Sequence, residues 1–209
     1  DLKSWFGFDI KGLVKQNYLK ATSNYKDLIT DDFLVHFIAI PTEKNGKPYY
    51  KPLMNVLSCI SKINRGSKNP PIEIVESTLA PKVSDKKIIP FFKKKNLIVG
   101  ENILLSIAPR RDWFIEGGKN LESLDRVYGS TDEKSAKVAK DVLSIVCKKL
   151  HLASSYKVSE MVKSVENAYR HMDITLANQL SLAFPKDNMR EVLKLVGTKW
   201  NLETFHPGI

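Results

Sequence analysis

Short apolar runs alternate with amphipathic stretches over the first two-thirds of the chain. The spacing predicts helices between the runs, over residues 52–64, 84–95 and 131–150. Ser130 or Thr131 would cap the last of these helices, with Glu133 placed to reach back to the cap. Apolar strands that alternate with helices predict an α/β fold, a parallel sheet with helices on both faces. Five runs are rich in Val, Ile and Phe and predict the strands: residues 5–10, 33–41, 72–78, 102–109 and 125–130.

The pattern becomes wholly helical after Tyr156. Apolar residues recur at helical spacing along one face from Met161 to Leu180, which predicts one long helix. A second, shorter helix is predicted over residues 187–196, after Pro185. We therefore expect an α/β domain over residues 1–153 and an all-α domain, built on the long helix, over residues 154–209.

The opposite face of the long helix carries a polar stripe. A solvent-exposed surface is the simplest interpretation of such a stripe. Asn, however, is a mediocre helix former that exposed faces seldom use, so a functional surface stays open as the alternative. The stripe consists of Glu160, Lys163, Asn167, Arg170 and Asn178.

The net charge of +10 and the pI of about 9.5 suggest nucleic-acid binding as a candidate function. The basic residues are spread along the chain, however, and residues 91–96 (FFKKKN) are the only tight cluster. We therefore expect a lysine-rich surface that favours small anionic ligands, and no nucleic-acid partner.

Neither a membrane span nor a metal site is predicted. No apolar run reaches the roughly 20 residues that a spanning helix needs, and the first ten residues do not resemble a secretory signal. Cys59 and Cys147 lie in apolar-periodic segments, which indicates buried thiols in a reducing compartment, the cytoplasm. The four histidines are not spaced as metal ligands.

In α/β sheets of this kind ligands bind beyond the carboxyl ends of the strands. Asp9 at such an end could accept hydrogen bonds from an adenosine ribose, although a helix N-cap or a turn would use the same residue. The Gly-rich phosphate loop that should precede it is absent. The polar residues at these ends, together with the prolines beside them, are Asp9, Pro41, Thr42, Ser77, Thr78, Arg110 and Arg111.

Residues 159–180, SEMVKSVENAYRHMDITLANQL, resemble the central-helix motif of the UDP-glucose/GDP-mannose dehydrogenase family, A-E-x-x-K-x-x-E-N-x-x-R-x-x-x-I-x-x-x-N-E-L. Further segments resemble the family's motifs in the same order and cover nearly the whole chain. They are FGFDI, LKATSNYKDL, IAIPTEKNGKPY, VESTLAP, IAPRRDWF, DRVYGS and the final FHPGI, which resembles the start of a P-G-x-G-V-G-G-H-C loop.

The resemblance implies a Rossmann-like NAD-binding domain and a central helical domain that forms a homodimer through the face from Met161 to Leu180. It implies an NAD-dependent, four-electron oxidation of the 6-hydroxyl of a nucleotide sugar to the uronic acid, in cytoplasmic polysaccharide biosynthesis. A cysteine of the family traps the aldehyde as a thiohemiacetal, which is oxidised to a thioester and hydrolysed. The variant APRRDWF points to an amino sugar, UDP-N-acetylmannosamine or UDP-N-acetylglucosamine.

The same resemblance implies residue roles. Lys163 would stabilise the charge that develops on the C6 oxygen, with Asn167 beside it holding that oxygen or the hydrolytic water. Thr78 would lie near the nicotinamide. The remaining implied contacts are Pro41, Thr42 and Ser77 along the cofactor, Asp9 at its ribose, and Arg170 at the substrate. Arg110 and Arg111 could bind the substrate's pyrophosphate, since Arg suits bidentate contacts with anions. Surface ion pairs stay an equally open role for Arg110 and Arg111.

The sequence also departs from the family. The Gly-rich loop, the catalytic cysteine and a C-terminal domain have no counterpart in the 209 residues, so we expect an incomplete NAD-binding domain and no activity from this chain alone. Lys82 stands where the family has Gly. Arg110 stands where the family has Glu. The acidic role in thioester hydrolysis could instead be taken by Glu116.

Two alternatives stay open. A β-hydroxyacid-type dehydrogenase also places a Lys and an Asn four residues apart on a long helix, but it carries out one two-electron oxidation. A non-catalytic basic binding module would instead bind nucleic acid with an affinity that falls steeply with salt.

Overall fold

The computed structural model describes residues 9–28, 35–63, 69–111, 123–205 and 208. The predicted strand over residues 5–10 lies mostly outside the described residues. Its last residue, Ile10, begins a helix instead, α1 (Ile10–Lys15). The Asp9 side chain accepts a hydrogen bond from the Lys11 N–H at 3.1 Å. Asp9 therefore acts as the N-cap that was the alternative to a strand end.

A mostly parallel sheet of five strands forms the centre of the fold. Neighbouring strands are parallel except β5 (Leu104–Ile107) and β6 (Arg126–Ser130), which are antiparallel. The prediction of a parallel sheet is thus confirmed for most of the strands and wrong at this one step. An antiparallel neighbour needs no crossover helix. In the order β1-β4-β5-β6-β7 the strands are β1 (Val35–Ile38), β4 (Ile72–Val75), β5 (Leu104–Ile107), β6 (Arg126–Ser130) and β7 (Leu150–Leu152).

A small hairpin lies between β1 and β4 in sequence. Its strands are β2 (Glu43–Lys44) and β3 (Lys47–Pro48). Both turn residues have positive φ, 54° at Asn45 and 70° at Gly46, which is the conformation that tight hairpins require.

Helices cover both faces of the sheet, as predicted. One core cluster joins Val75 and Leu105 of the sheet to Leu57 and Phe92 of the covering helices, and the other joins Ile74 to Leu143. Side chains alternate between the faces along each strand, so one sheet feeds two cores. The covering helices are α2 (Lys51–Ile63), a π-helical turn (Ser84–Ile88) that continues into α3 (Ile89–Lys94), and α4 (Glu133–Ser144).

The N-cap of α4 is Asp132, and the prediction of Ser130 or Thr131 is wrong. The Asp132 carboxylate accepts from the Ser135 N–H at 2.9 Å, while Ser130 belongs to β6 and Thr131 donates to Asp132 itself at 2.8 Å. The helix ends at Ser144 rather than at residue 150, because Leu150 begins β7.

The two helices predicted after Tyr156 are confirmed as α5 (Tyr156–Ala183), which has 28 residues, and α6 (Met189–Val196). The first turn of α5 lies against the sheet, where the Ser159 hydroxyl donates to the Ile107 carbonyl at 2.7 Å. Gly129 of β6 permits this approach, because a Cβ there would lie 2.4 Å from the Ser155 carbonyl oxygen.

The predicted apolar face of α5 is largely exposed in the single chain. Met161, Val165, Tyr169, Met172 and Leu176 are each more than half exposed. The far end of the helix instead packs on α6, where Ala177, Met189 and Leu193 form a small buried cluster.

Cys147 is buried and Cys59 is half-buried, and both are free thiols. No helix within the described ranges is long and apolar enough to span a membrane. Among those same residues, no group of three or more His, Cys, Asp and Glu side chains could hold a metal ion.

Candidate functional site

The carboxyl ends of β1 and β4 are joined by side-chain hydrogen bonds. The Thr42 hydroxyl donates to the Thr78 carbonyl at 2.5 Å. The Ser77 hydroxyl accepts from the Ile40 N–H at 2.7 Å and donates to the Ile40 carbonyl at 2.8 Å. Pro41 lies exposed between Ile40 and Thr42. Four of the residues predicted to line a cofactor therefore form one edge of the sheet, and Ser77 uses its hydroxyl to hold that edge together.

The helix α5 meets the loop beyond this edge through Ser164. The Ser164 hydroxyl donates to the Leu79 carbonyl at 3.1 Å, next to Thr78 in the chain. Lys163, which precedes Ser164, has a largely buried side chain. The Ser164 contact places this turn of α5 against the loop that follows Thr78. Ser164 was missed in the sequence, where a serine one residue from a candidate lysine gives no signal.

Glu160 differs from the rest of the stripe because it does not face an open surface. It is 2% exposed, and its carboxylate accepts from the backbone N–H groups of Lys82 and Ser84, both at 2.9 Å. The Ser84 hydroxyl donates to it as well, at 3.0 Å. Glu160 therefore belongs to neither a solvent-exposed nor an open functional surface, since its oxygens accept from Lys82 and Ser84 at the start of the π-helical turn.

Both candidate arginines make the ion pairs that the sequence left open. Arg111 Nε lies 2.6 Å from Glu166 Oε1, and Arg111 also donates to the Asp125 carbonyl at 3.0 Å. Glu166 Oε2 lies 3.9 Å from Lys163 Nζ. The Glu166 carboxylate is thus shared between two cations, one from the loop after β5 and one from α5.

Arg110 belongs to a second ion-pair cluster, centred on a buried acid. Arg110 Nη1 lies 3.6 Å from Glu76 Oε2, and the other Glu76 oxygen pairs with Arg126, which also donates to the Ala108 carbonyl at 3.0 Å. Glu76 and Arg126 are both buried. Sequence reasoning missed them, although a charged residue directly after a buried strand was an available signal.

The stripe residues beyond Lys163 differ in their surroundings. Asn167 and Arg170 are exposed. Asn178 binds the backbone of Gly208 through two hydrogen bonds, of 2.6 and 3.0 Å. Asp9 hydrogen-bonds within α1. Glu116 lies outside the described residues.

A titratable pair joins the start of α5 to the π-helical turn. The Tyr156 hydroxyl donates to the Asp85 carboxylate, and Lys157 Nζ lies 3.0 Å from the same group. Burial, together with the neighbouring carboxylate, raises the pKa of Tyr156 to about 12. The hydrogen bond from Tyr156 and the one from Lys157 lower the pKa of Asp85.

The chemical capacity of this region follows from its charges. The Lys163 side chain on α5 is largely buried, and Thr78, in the loop after β4, is partly exposed. Preorganised cations in such places stabilise negative charge that develops on a reacting oxygen. Asn167, one turn further along α5, adds an amide on the same side of the helix.

Comparison with known proteins gives relatives over nearly the whole chain. The protein CapL of Staphylococcus aureus is 32% identical over 203 residues, 94% of this chain and 46% of that protein. The UDP-N-acetyl-D-glucosamine 6-dehydrogenase of Pseudomonas aeruginosa is 30% identical over 205 residues, 96% of this chain and 48% of that protein. No protein-family model matches the chain.

A solved structure has the same fold. The UDP-D-ManNAc dehydrogenase of Pyrococcus horikoshii superposes with a TM-score of 0.83 at 26% identity, covering 95% of this chain and 47% of that one. The chain therefore spans about half the length of the relatives that it matches.

Proposed function

Because this chain belongs to the UDP-glucose/GDP-mannose dehydrogenase family, we propose that it is part of an NAD-dependent nucleotide-sugar 6-dehydrogenase. The observation that supports this most directly is the approach of α5 to the sheet edge, with the Ser164 hydroxyl 3.1 Å from the Leu79 carbonyl. This contact places the turn of α5 that contains Ser164 and Lys163 against Leu79, which follows Thr78 at the end of the sheet where parallel sheets bind dinucleotides.

The substrate we propose is a UDP-sugar that carries an N-acetylamino group. Two relatives are named for such sugars, UDP-N-acetyl-D-glucosamine and UDP-D-ManNAc. The reaction is a four-electron oxidation of the 6-hydroxyl to the uronic acid, which supplies a sugar acid for polysaccharide biosynthesis in the cytoplasm.

NAD would bind at the carboxyl ends of β1 and β4. Pro41 and Thr42 would lie along it, with Ser77 and Thr78 opposite, since the Thr42 hydroxyl reaches the Thr78 carbonyl at 2.5 Å. Asp9 would contact the adenosine ribose through Oδ2, since its Oδ1 accepts from the Lys11 N–H. When bound, NAD accepts hydride from C6 of the sugar.

The residues of α5 act on the sugar oxygen. Lys163 would stabilise the negative charge that develops on the C6 oxygen when the 6-hydroxyl gives up its proton to water, before hydride leaves C6. The interaction is strong because the Lys163 side chain is largely buried. Asn167 donates to the same oxygen or orients the water of the hydrolytic step, while Thr78 holds a water near the nicotinamide.

The arginines contact the anionic part of the substrate. Arg111 is paired with Glu166 at 2.6 Å, and Arg110 with Glu76 at 3.6 Å, so each guanidinium is already oriented by a carboxylate. A guanidinium has donors left for a diphosphate after one such pair. Arg170, which is exposed on α5, is the third arginine that we propose contacts the substrate.

The whole protein is proposed to be a homodimer. The support is the row of apolar side chains from Met161 to Leu176, each more than half exposed, because a continuous apolar face of this kind is typical of a protein interface. Residues 1–153 would form the cofactor domain and residues 154–209 the central helical domain.

The proposal is tested by offering the full gene product NAD with UDP-N-acetylmannosamine, UDP-N-acetylglucosamine, UDP-glucose and GDP-mannose in parallel. We expect NADH formation with an N-acetylated UDP-sugar. A small β-hydroxyacid, such as 3-hydroxyisobutyrate, is the comparison substrate. NADH formed from the hydroxyacid and from none of the sugars would overturn the proposal in favour of the two-electron alternative.

A further inference from the structure

The buried carboxylate of Glu160 holds a backbone segment and not another side-chain charge. Its Oε2 accepts from the Lys82 N–H, and its Oε1 accepts from both the N–H and the hydroxyl of Ser84. Burying a carboxylate is costly unless hydrogen bonds replace its water, and three donors at the start of a helical segment do so. An apolar side chain in this place would leave the N–H groups of Lys82 and Ser84 without an acceptor. The carboxylate therefore fixes the backbone of this segment against α5.

The segment that Glu160 holds is the loop between β4 and the π-helical turn. Lys82 in this loop has φ of +74°, in the left-handed region that side chains with a Cβ avoid. A residue keeps such a conformation only when its surroundings over-determine it, and the Glu160 carboxylate receives the N–H of Lys82 itself.

The same loop meets α5 at a second point. The Ser164 hydroxyl donates to the Leu79 carbonyl at 3.1 Å. Residues four apart lie on one side of a helix, so Glu160 and Ser164 hydrogen-bond to the loop from the same side of α5, one turn apart. Lys163 lies between them in the chain, and Thr78 precedes the gripped part of the loop.

We propose that Glu160 is a positioning residue, which sets the distance between Lys163 and the Thr78 loop by holding the backbone of residues 82–84 against α5. This inference rests on the proposed function, because it assumes the role given to Lys163. Glu160 acts through the loop and touches neither substrate nor cofactor.

The test is Glu160→Gln in the full gene product. The substitution keeps the shape but replaces one acceptor oxygen with an NH2 group, which faces a backbone N–H and repels it. We expect kcat to fall about 10- to 100-fold, the size expected for a displacement of about 1 Å in a reacting group. The Kd of NAD should change much less than kcat.

Tyr156→Phe is the matched control. It removes a different hydrogen bond between α5 and the π-helical turn, from Tyr156 to Asp85, and leaves residues 78–84 untouched. We expect this variant to lose a similar amount of thermal stability and to keep kcat within about twofold. Equal kcat in the two variants would overturn the proposal.

A second readout needs no activity. Hydrogen exchange of the full gene product, followed on peptides that cover residues 79–84, should speed up in Glu160→Gln and stay unchanged in Tyr156→Phe. Unchanged exchange in both variants would contradict the proposed hold on the loop. If Glu160→Gln does not fold, Ser164→Ala can be used, because it removes the hydrogen bond from α5 to the Leu79 carbonyl. It should lower kcat several-fold, and an unchanged kcat would overturn the proposal.

Lys163→Ala separates this inference from the proposed function. If Lys163→Ala keeps wild-type turnover, the proposed function fails at its site and the positioning role fails with it. If Lys163→Ala is inactive while Glu160→Gln is fully active, only the positioning role is overturned.

Discussion

The side-chain amide of Asn178, on α5, both donates a hydrogen bond to the backbone of Gly208 and accepts one from it. Its amide nitrogen donates to the Gly208 carbonyl at 2.6 Å, and its amide oxygen accepts from the Gly208 N–H at 3.0 Å. An asparagine that satisfies both groups of one residue holds that residue at a fixed place. The segment after α6 is thereby tied to the same helix that carries Lys163.

Asn178→Ala should free this segment. We expect faster cleavage by trypsin after Lys199, which is exposed, because proteolysis follows local opening of the backbone. The control is Gln179→Ala, at an exposed neighbouring position. Asn178→Asp, which keeps the acceptor and loses the donor, should fall between them. Cleavage at equal rates in Asn178→Ala and Gln179→Ala would show that the pair holds nothing.

Lys82 offers a test of backbone strain. Its φ of +74° is the conformation that glycine adopts freely, and the family has Gly at this place in its motif. Lys82→Gly should therefore be more stable than Lys82→Ala by about 1 kcal/mol, the cost of a Cβ in the left-handed region. Both variants lose the same charge and keep the N–H that donates to Glu160. Urea unfolding of the two variants measures the difference, and a more stable alanine variant would contradict it.

Tyr156 gives the fold a dependence on alkaline pH. The phenol ionises at about 12 in the folded chain and near 10 when unfolded, so the fold favours its neutral form. This contribution to stability is fully present below about pH 10 and is lost as the pH rises from about 10 to about 12. The difference in unfolding free energy between the wild type and Tyr156→Phe should shrink over that interval. A difference that stays constant would contradict the raised pKa.

Lys163 is the residue on which the proposed chemistry depends. Lys163→Ala in the full gene product should reduce kcat by about 100-fold or more, as for the loss of one group that stabilises a developing oxyanion. The Kd of NAD should stay nearly unchanged, because the cofactor edge is formed by other residues. Lys157→Ala, which removes an exposed ammonium paired with Asp85 on the same helix, is the control and should keep full activity. Near-wild-type turnover of Lys163→Ala would contradict the assignment.

The elements that could be predicted from the sequence are those whose pattern is local. The strands β4 and β5 are apolar runs in the sequence, and apolar residues recur at helical spacing along most of the 28 residues of α5. The three residues of β7 (Leu150–Leu152) are too few to be separated from the helical pattern before them. Asp132 was missed as a cap because Ser130, Thr131 and Asp132 are all good caps in adjacent positions.

The candidate site was predictable only in part, for the same reason. The resemblance pointed to Lys163, but the burial of Glu160 depends on Ser84, which lies 76 residues away. A helical wheel places Glu160 and Lys163 on one side and cannot tell which of them another segment covers. The Glu76–Arg126 pair likewise joins residues 50 apart, and a separation of that size leaves no periodic trace in the sequence.

The yield of NADH per nucleotide sugar tests the central claim most directly. The full gene product is supplied with excess NAD and a limiting amount of the UDP-sugar that it accepts, and both NADH and uronic acid are counted at completion. A four-electron oxidation predicts two NADH for each sugar consumed, with the uronic acid as product. One NADH per substrate, or NADH formed without uronic acid, would contradict the account and support a single two-electron oxidation.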